Sequence, residues 1–244
     1  MYNWCLEVWG DFACFTRPEM KVERVSYDVM TPSAARAIFE AILWKPAIRW
    51  HITKIEVLNP IKWISVRRNE VGKTVPAPTA SQMSGVLGEP MVIFIEDARQ
   101  QRAGLFLRDV KYRIHGYFDF IPVEQRENAF TGHEAWADDK ENKVSVTYSE
   151  TEAKYAAMFE RRVKKGQCFH RPYLGCREFA CNFRLVEDMV NDTSAPINET
   201  RGLGYMLYDI DFHSDKSKPT SLFFYASLQN GIVNTDRREI EVRG

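Results

Sequence analysis

Apolar and polar positions alternate most sharply in "KYRIHGYFDF", residues 111–120. With a strand's period of two, Val110, Tyr112, Ile114, Phe118 and Phe120 share one face, while Asp109, Lys111, Arg113, His115, Tyr117 and Asp119 share the other. The first set is the core side; the second places a histidine and a tyrosine beside two cations. Residues 48–58 alternate in the same way, with Ile48, Trp50 and Ile52 set against Arg49, His51 and Thr53, which predicts a half-buried strand with a partly basic face. A helical period appears in "TPSAARAIFEAILW", where Ala35, Ile38, Phe39 and Ile42 form one stripe, Thr31 can cap, Pro32 fits the first position and Pro46 ends the run. "SETEAKYAAMFERRVKKGQ" predicts a second helix. Ser149 can cap it, Glu150 and Glu152 suit its N-terminus, Lys164 and Lys165 its C-terminus, and Gly166 its end.

Further strands at residues 3–9 and 176–187 complete the order β, α, β, β, α, β. That is the ferredoxin-like order of an α+β fold, an antiparallel sheet with both helices on one side. An insertion at about 59–106 interrupts it; it is expected to carry a small hairpin, with the apolar run "MVIFIE" and "VRRNEVGKTVPAPTASQMSG" as its mobile tip. After the polar linker "NDTSAPINETRG" come "GYMLYDIDF", "SLFFYASL" and, past the turn "QNG", "IVNT". These predict a three-stranded antiparallel unit too small to stand alone. The expected division is therefore a domain at 1–188 with a small β domain, 189–244, docked on it.

Composition narrows the chemistry. With 33 basic and 33 acidic residues the net charge is zero, which argues against a protein that coats nucleic acid with its whole surface. Local segregation still permits a basic groove, since residues 160–167 and 66–69 are basic and 134–142 acidic. The N-terminus lacks the pattern of a secretory signal and no apolar run is long enough to span a bilayer, so the expected location is cytoplasmic, with no membrane partner. Five cysteines without a CxxC pair indicate reduced thiols, not a disulfide framework or a zinc ribbon. Neither a P-loop nor GxGxxG supports a nucleotide-binding metabolic enzyme.

The blocks "WGDFACFTRPE", "ILWKPAIRW", "LGCREF" and "NGI", in that order and spread over nearly the whole chain, resemble the CRISPR-associated Cas-five proteins of the Dvulg type, subtype I-C. The resemblance implies membership of the RAMP superfamily. It further implies metal-independent, cofactor-free cleavage of CRISPR precursor RNA at the base of the repeat hairpin, after which the protein stays on the 5′ handle as a subunit of the surveillance complex. The expected partners are thus the repeat RNA, precursor and mature, and the other subunits of that complex. The alternative is a noncatalytic subunit that holds the handle while another protein cuts.

Family positions carry over unevenly. A tyrosine that precedes "WKP" in some members corresponds to Leu43, which has no polar atom, and two further polar positions fall on His115 and Tyr117 with the chemical types altered. His115 is expected to act as acid or base, and Tyr117 to hydrogen-bond the phosphate or the attacking hydroxyl. His51 either supplies the missing partner or is simply satisfied within its strand. In such a reaction the ribose 2′-OH attacks the adjacent phosphorus, so the enzyme needs only proton transfer, alignment and stabilisation of the phosphorane. A histidine with a pKa near 6.5 suits that task. Lys45, Arg49, Lys111 and Arg113 are candidates for steadying the charge, each with a plain surface role as the alternative. Arg161, Arg162, Lys164 and Lys165, together with Arg67 and Arg68, are candidate RNA contacts.

Overall fold

The computed structural model describes residues 2–85, 92–122, 125–126, 150–188, 192–212 and 218–244. Its elements are β1 (Asn3–Ala13), α1 (Pro32–Ile42), β2 (Ile48–Val57), β3 (Lys62–Val71), the one-turn helices α2 (Ala80–Met83) and α3 (Ile95–Ala98), β4 (Arg99–Phe120), α4 (Glu152–Lys164), β5 (Asn182–Leu185), β6 (Arg201–Asp211), β7 (Thr220–Leu228), β8 (Ile232–Asn234) and β9 (Val242–Arg243). This is a mixed α/β architecture. The principal sheet runs β5-β1-β4-β2-β8 with every pairing antiparallel, and β3 joins the far half of β4.

α1 forms where its pattern predicts. The Thr31 hydroxyl accepts from the Ala34 N–H, Pro32 opens the first turn, and Ala35, Ile38, Phe39 and Ile42 are buried. The helix stops at Ile42, before Pro46: Leu43 turns extended, and the Arg162 guanidinium of α4 donates to the freed Ile42 carbonyl at 2.7 Å. In α4 the cap is Thr151, whose hydroxyl accepts from the Lys154 N–H, and Gly166, at φ +62°, ends the helix. Ser149, which the sequence offered as this cap, lies outside the described residues.

Both helices cover the same face of the sheet. Phe159 of α4 stacks on Phe39 of α1 with centroids 5.5 Å apart and meets Trp50 of β2 at 4.6 Å, while Trp4 of β1 stacks on Phe118 of β4 at 5.2 Å. Such pairs contribute about 0.5–1.5 kcal/mol each beyond their burial. Gly116 allows this close packing, because a Cβ there would meet the His51 carbonyl oxygen at 2.7 Å and the Phe39 ring at 3.4 Å.

The insertion is built differently from the expectation. "VRRNEV" is not a mobile tip but the end of β3, which pairs with residues 99–108 of β4 as one long hairpin. Asp109, at φ +53°, marks the point where β4 leaves that hairpin and enters the main sheet. Of the apolar run at 91–96, Ile95 and Glu96 open α3 and Met91 lies outside the described residues, as does the acidic segment 134–142.

The C-terminal strands also divide differently. β6 and β7 pair as expected, but the third strand of their sheet is β9; β8, the "IVNT" strand, pairs with β2 of the principal sheet. The small sheet docks on α1, where Arg36 is bonded twice to Asp209, and on the segment before it, where the Leu207 N–H donates to the Tyr27 hydroxyl. Met206, Phe224, Ala226 and Leu228 belong to the same buried cluster as Trp4, Phe39 and Trp50. Residues 176–181 are not strand, so β5 is only four residues long. Among the described residues no helix is long and apolar enough to cross a membrane.

Candidate active site

The face of the sheet opposite the helices carries polar residues in rows that register across the strands. One row runs Arg184 (β5), Glu7 (β1), Arg113 (β4), Glu56 (β2), so that charge alternates strand by strand. The next contains Cys5, His115 and Lys54, and the third Asn3, Tyr117 and His51. Strict alternation along β2 would have put Lys54 and Glu56 into the core. A bulge between Ile52 and Lys54 shifts the parity, so Ile55 and Val57 turn inward and Glu56 joins His51 on the outer face.

This face, which the helices leave uncovered, is nevertheless closed over the first row. Arg113 is 3 % exposed and Glu7 and Glu56 are equally enclosed, because residues 192–199 cross above them. Arg113 pairs with Asp192 and lies 3.8 Å from Glu56 and 3.9 Å from Glu7. Glu7 accepts twice from Arg184 at 2.9 Å and lies 3.0 Å from the Lys111 ammonium, which in turn donates to the Ser194 hydroxyl at 3.4 Å. Burial would raise the Glu7 carboxyl, yet the bonds from Arg184 and Lys111 prevail and hold it below its ordinary value. The Ser194 backbone N–H and Arg184 hold Asp192 at about 2. Lys111 and Arg113 are therefore occupied within the fold; Arg113 has almost no surface left for a phosphate.

The lower rows are partly accessible: His115, Lys54 and His51 are half-buried, whereas Cys5 and Tyr117 are buried. His115 Nε2 lies 2.9 Å from Glu56 Oε1, with the Cys5 thiol 3.6 Å away, and Lys54 reaches the same carboxylate oxygen at 2.8 Å. Burial pushes the Glu56 carboxyl up, but His115 and Lys54 outweigh it and bring it to about 2. With Nε2 engaged, Nδ1 of His115 is the nitrogen that can exchange a proton. The Tyr117 ring is stacked on His51, centroids 5.1 Å apart, and the Arg238 guanidinium lies 5.4 Å from its centroid. Burial raises the Tyr117 phenol above its ordinary value, so at neutral pH it is a hydrogen-bond donor. His51 Nε2 lies 3.0 Å from Asp119, but burial dominates and lowers its pKa, which leaves the ring neutral. Asp236, bonded to Arg238 at 2.9 Å, completes this end.

The remaining candidates disperse. Lys45 and Arg49 are exposed and, with His51, line a groove of about 420 Å³ between α1, β2 and the end of β6. Arg67 is exposed on β3, whereas Arg68 is paired with Glu70 at 2.9 Å and lies over Phe106. Arg161, Lys164 and Lys165 are exposed on α4, in the helical layer and so on the other side of the sheet from His115. Lys164 reaches Glu187 at 2.5 Å, and Arg162 is committed to α1. Leu43 is fully buried, its carbonyl accepting from the Trp50 indole at 2.9 Å. Lys54, Glu56, Asp236 and Arg238 were not singled out from sequence. The signal for Glu56 was present in the switch of apolar positions from 48, 50, 52 to 55, 57, but Asp236 and Arg238 follow the last strand of the main sheet and had no local signal.

Comparison with known proteins gives a consistent result. Residues 5–236 match the Cas_Cas5d profile, described as CRISPR-associated protein (Cas_Cas5). A CRISPR pre-crRNA endoribonuclease Cas5d from Mannheimia succiniciproducens is 45% identical over 236 residues, covering 94% of this chain and 92% of the relative. A protein of the same description from Thermus thermophilus is 38% identical over 218 residues, covering 89% and 77%. Two solved structures share the fold over 100% of this chain and 97% of theirs: a CRISPR-associated protein at TM-score 0.62 and 20% identity, and SMU1763c of Streptococcus mutans at 0.63 and 21%.

Proposed function

The chain belongs to the Cas5d family of CRISPR-associated proteins, and from that premise we propose that it is an endoribonuclease that cuts CRISPR precursor RNA within the repeat, at the base of the hairpin. It then keeps the 5′ handle as a subunit of the subtype I-C complex. The observation that carries the mechanism is the pair of imidazoles on one sheet face, His115 held by Glu56 at 2.9 Å and His51 beside Asp119 at 3.0 Å, with Tyr117 against His51. Two imidazoles can divide the work of a base on the 2′-OH and an acid on the departing 5′-oxygen. His51, neutral through burial, suits the base; His115, fixed by Glu56, suits the acid through Nδ1. The protonated Tyr117 hydroxyl can donate to the phosphorane, and Arg238, above its ring, adds positive charge near by. The product of this path is a 2′,3′-cyclic phosphate.

Lys45 and Arg49 are the inner phosphate contacts in this reading, and Arg67, Arg161, Lys164 and Lys165 outer contacts along the RNA. Lys111, Arg113, Arg68 and Arg162 act within the fold instead. The order β5-β1-β4-β2 with α1 and α4 on one face supports a ferredoxin-like core over residues 1–188. Residues 189–244 form the small β domain, which lends β8 to the principal sheet.

One observation favours the noncatalytic alternative: at Leu43, where some members have a tyrosine, the side chain is buried and apolar. Purified protein incubated with its own repeat RNA in excess chelator separates the readings. Cleavage is expected, and it is expected to stop when the nucleotide upstream of the cut carries a 2′-deoxy sugar. Equal cleavage of the deoxy substrate refutes the 2′-OH mechanism; no cleavage of either, with tight binding, leaves the handle-holding role.

A further inference from the structure

Of the residues that line the groove beside β2, only His51 enters the proton transfers above, and the groove's composition differs from that of the paired face. Its floor is β2 from Ile48 to Ile52. Among the described residues no strand pairs with that edge from Ile48 to Ile52: β8 covers Lys54 to Glu56, and beyond it the Ile52 carbonyl accepts from the Thr235 hydroxyl at 3.1 Å. One wall is α1, through Arg36 and Glu40, and the other is the end of β6, through Tyr208, Asp209 and Phe212. The Arg36 guanidinium lies 3.3 Å from Glu40 and is bonded to Asp209, so an ion pair spans from α1 to β6 and sets the width. Arg36 thus faces two carboxylates, and Asp211 adds a third to the lining.

Two aromatic side chains stand exposed at the rim, Trp44 at 47% and Phe212 at 56%. Lys45, Arg49 and Arg237 also line the groove and make no salt bridge among the described residues. Exposed rings beside uncommitted cations in a concave site are the combination that holds unpaired nucleotides, the rings taking bases and the cations phosphates. A volume of about 420 Å³ falls at the lower end of the range for small-ligand pockets, about 300–1,000 Å³. That is room for one nucleotide, not for a duplex.

We propose that this groove is a nucleotide subsite that takes one unpaired base flanking the scissile phosphate, stacked against Trp44 and Phe212 with its phosphate on Lys45, Arg49 and Arg237. The proposal rests on the endoribonuclease reading for the identity of the RNA. His51 is itself part of the lining and its ring lies on Tyr117, so a chain held in the subsite passes beside that pair. A strand from a protein partner could also add to the edge of β2, but it would match Lys45, Arg49 and Arg237 only if it were acidic.

The test uses repeat RNA made noncleavable by one 2′-deoxy sugar at the cut, with 2-aminopurine placed in turn at each unpaired position near it. Wild-type protein should quench one of these positions. Trp44→Ala should abolish that quench and weaken binding between about fivefold and a hundredfold, with Trp44→Phe restoring most of both. On cleavable RNA, Trp44→Ala should lose rate at limiting protein and recover it largely at saturating protein, because the histidines are untouched. If Trp44→Ala and Phe212→Ala bind and quench as wild type does, while wild type cuts, the subsite is refuted and the endoribonuclease stands. If wild type neither binds nor cuts its repeat, both readings fall. Hydrogen exchange at residues 48–52 that slows with partner subunits but not with RNA also refutes the subsite, in favour of strand addition.

Discussion

Replacing Arg113 with methionine tests whether the buried row of charges belongs to the fold or to the RNA. The side chain is enclosed at 3% exposure and faces three carboxylates, from Glu7, Glu56 and Asp192. Methionine fills a similar volume but leaves those carboxylates with fewer partners: Glu7 keeps Arg184 and Lys111, Glu56 keeps Lys54 and His115, and Asp192 keeps Arg184. Removing one member of a buried ion pair costs about 3–5 kcal/mol because charge is left uncompensated. For a chain of 244 residues each kcal/mol moves the midpoint of thermal unfolding by about 2–4 °C, so a fall of roughly 6–20 °C is expected. The assay is thermal unfolding by circular dichroism at neutral pH, paired with the salt dependence of repeat-RNA binding at a temperature where the variant is folded. A direct phosphate contact would contribute about 0.7 to the log-log salt slope; the expected change is none. An unfolding midpoint within about 2 °C of wild type, with a reduced salt slope, would refute the buried network and return Arg113 to the RNA interface.

Three further outcomes follow from the same geometry. Because Glu56 and Asp192 titrate at about 2 when folded, against ordinary values of 4.5 and 3.8, the stability they contribute is full above those ordinary values and is lost as pH falls toward 2. Acid titrations of unfolding should therefore show a steep limb in that window, shallower in Glu56→Gln, and equal limbs would contradict the depressed carboxylates. His115→Ala should slow single-turnover cleavage by about 10²–10⁴ with binding of noncleavable RNA near wild type, and Tyr117→Phe should slow it less; a wild-type rate in His115→Ala moves the chemistry to His51. Neutralising Lys45 and Arg49 together should lower the salt slope by up to about 1.4, two phosphate contacts on single-stranded RNA. Neutralising Arg161, Lys164 and Lys165 should lower it less, and the reverse ranking would place the RNA path over α4.

Local pattern was enough for every element whose apolar period survives by itself. The stripe Ala35, Ile38, Phe39 and Ile42 specifies both α1 and its buried face, and the alternation through 110–120 specifies β4 and the residues that share its outer side, since the period of a helix or strand follows from backbone geometry alone. His115, Tyr117 and His51 could thus be placed on one surface before any fold was known. What that surface does with its cations was decided by segments distant in sequence. Asp192 and Ser194 fold back over Lys111 and Arg113, Arg162 is drawn to the end of α1, and β8 joins β2 instead of β7. Whether a cation faces RNA or a carboxylate depends on which groups surround it in space, and burial makes the nearest opposite charge decisive because a buried charge must be paired. Periodicity determines which way a side chain points; only the assembled chain determines what it meets there.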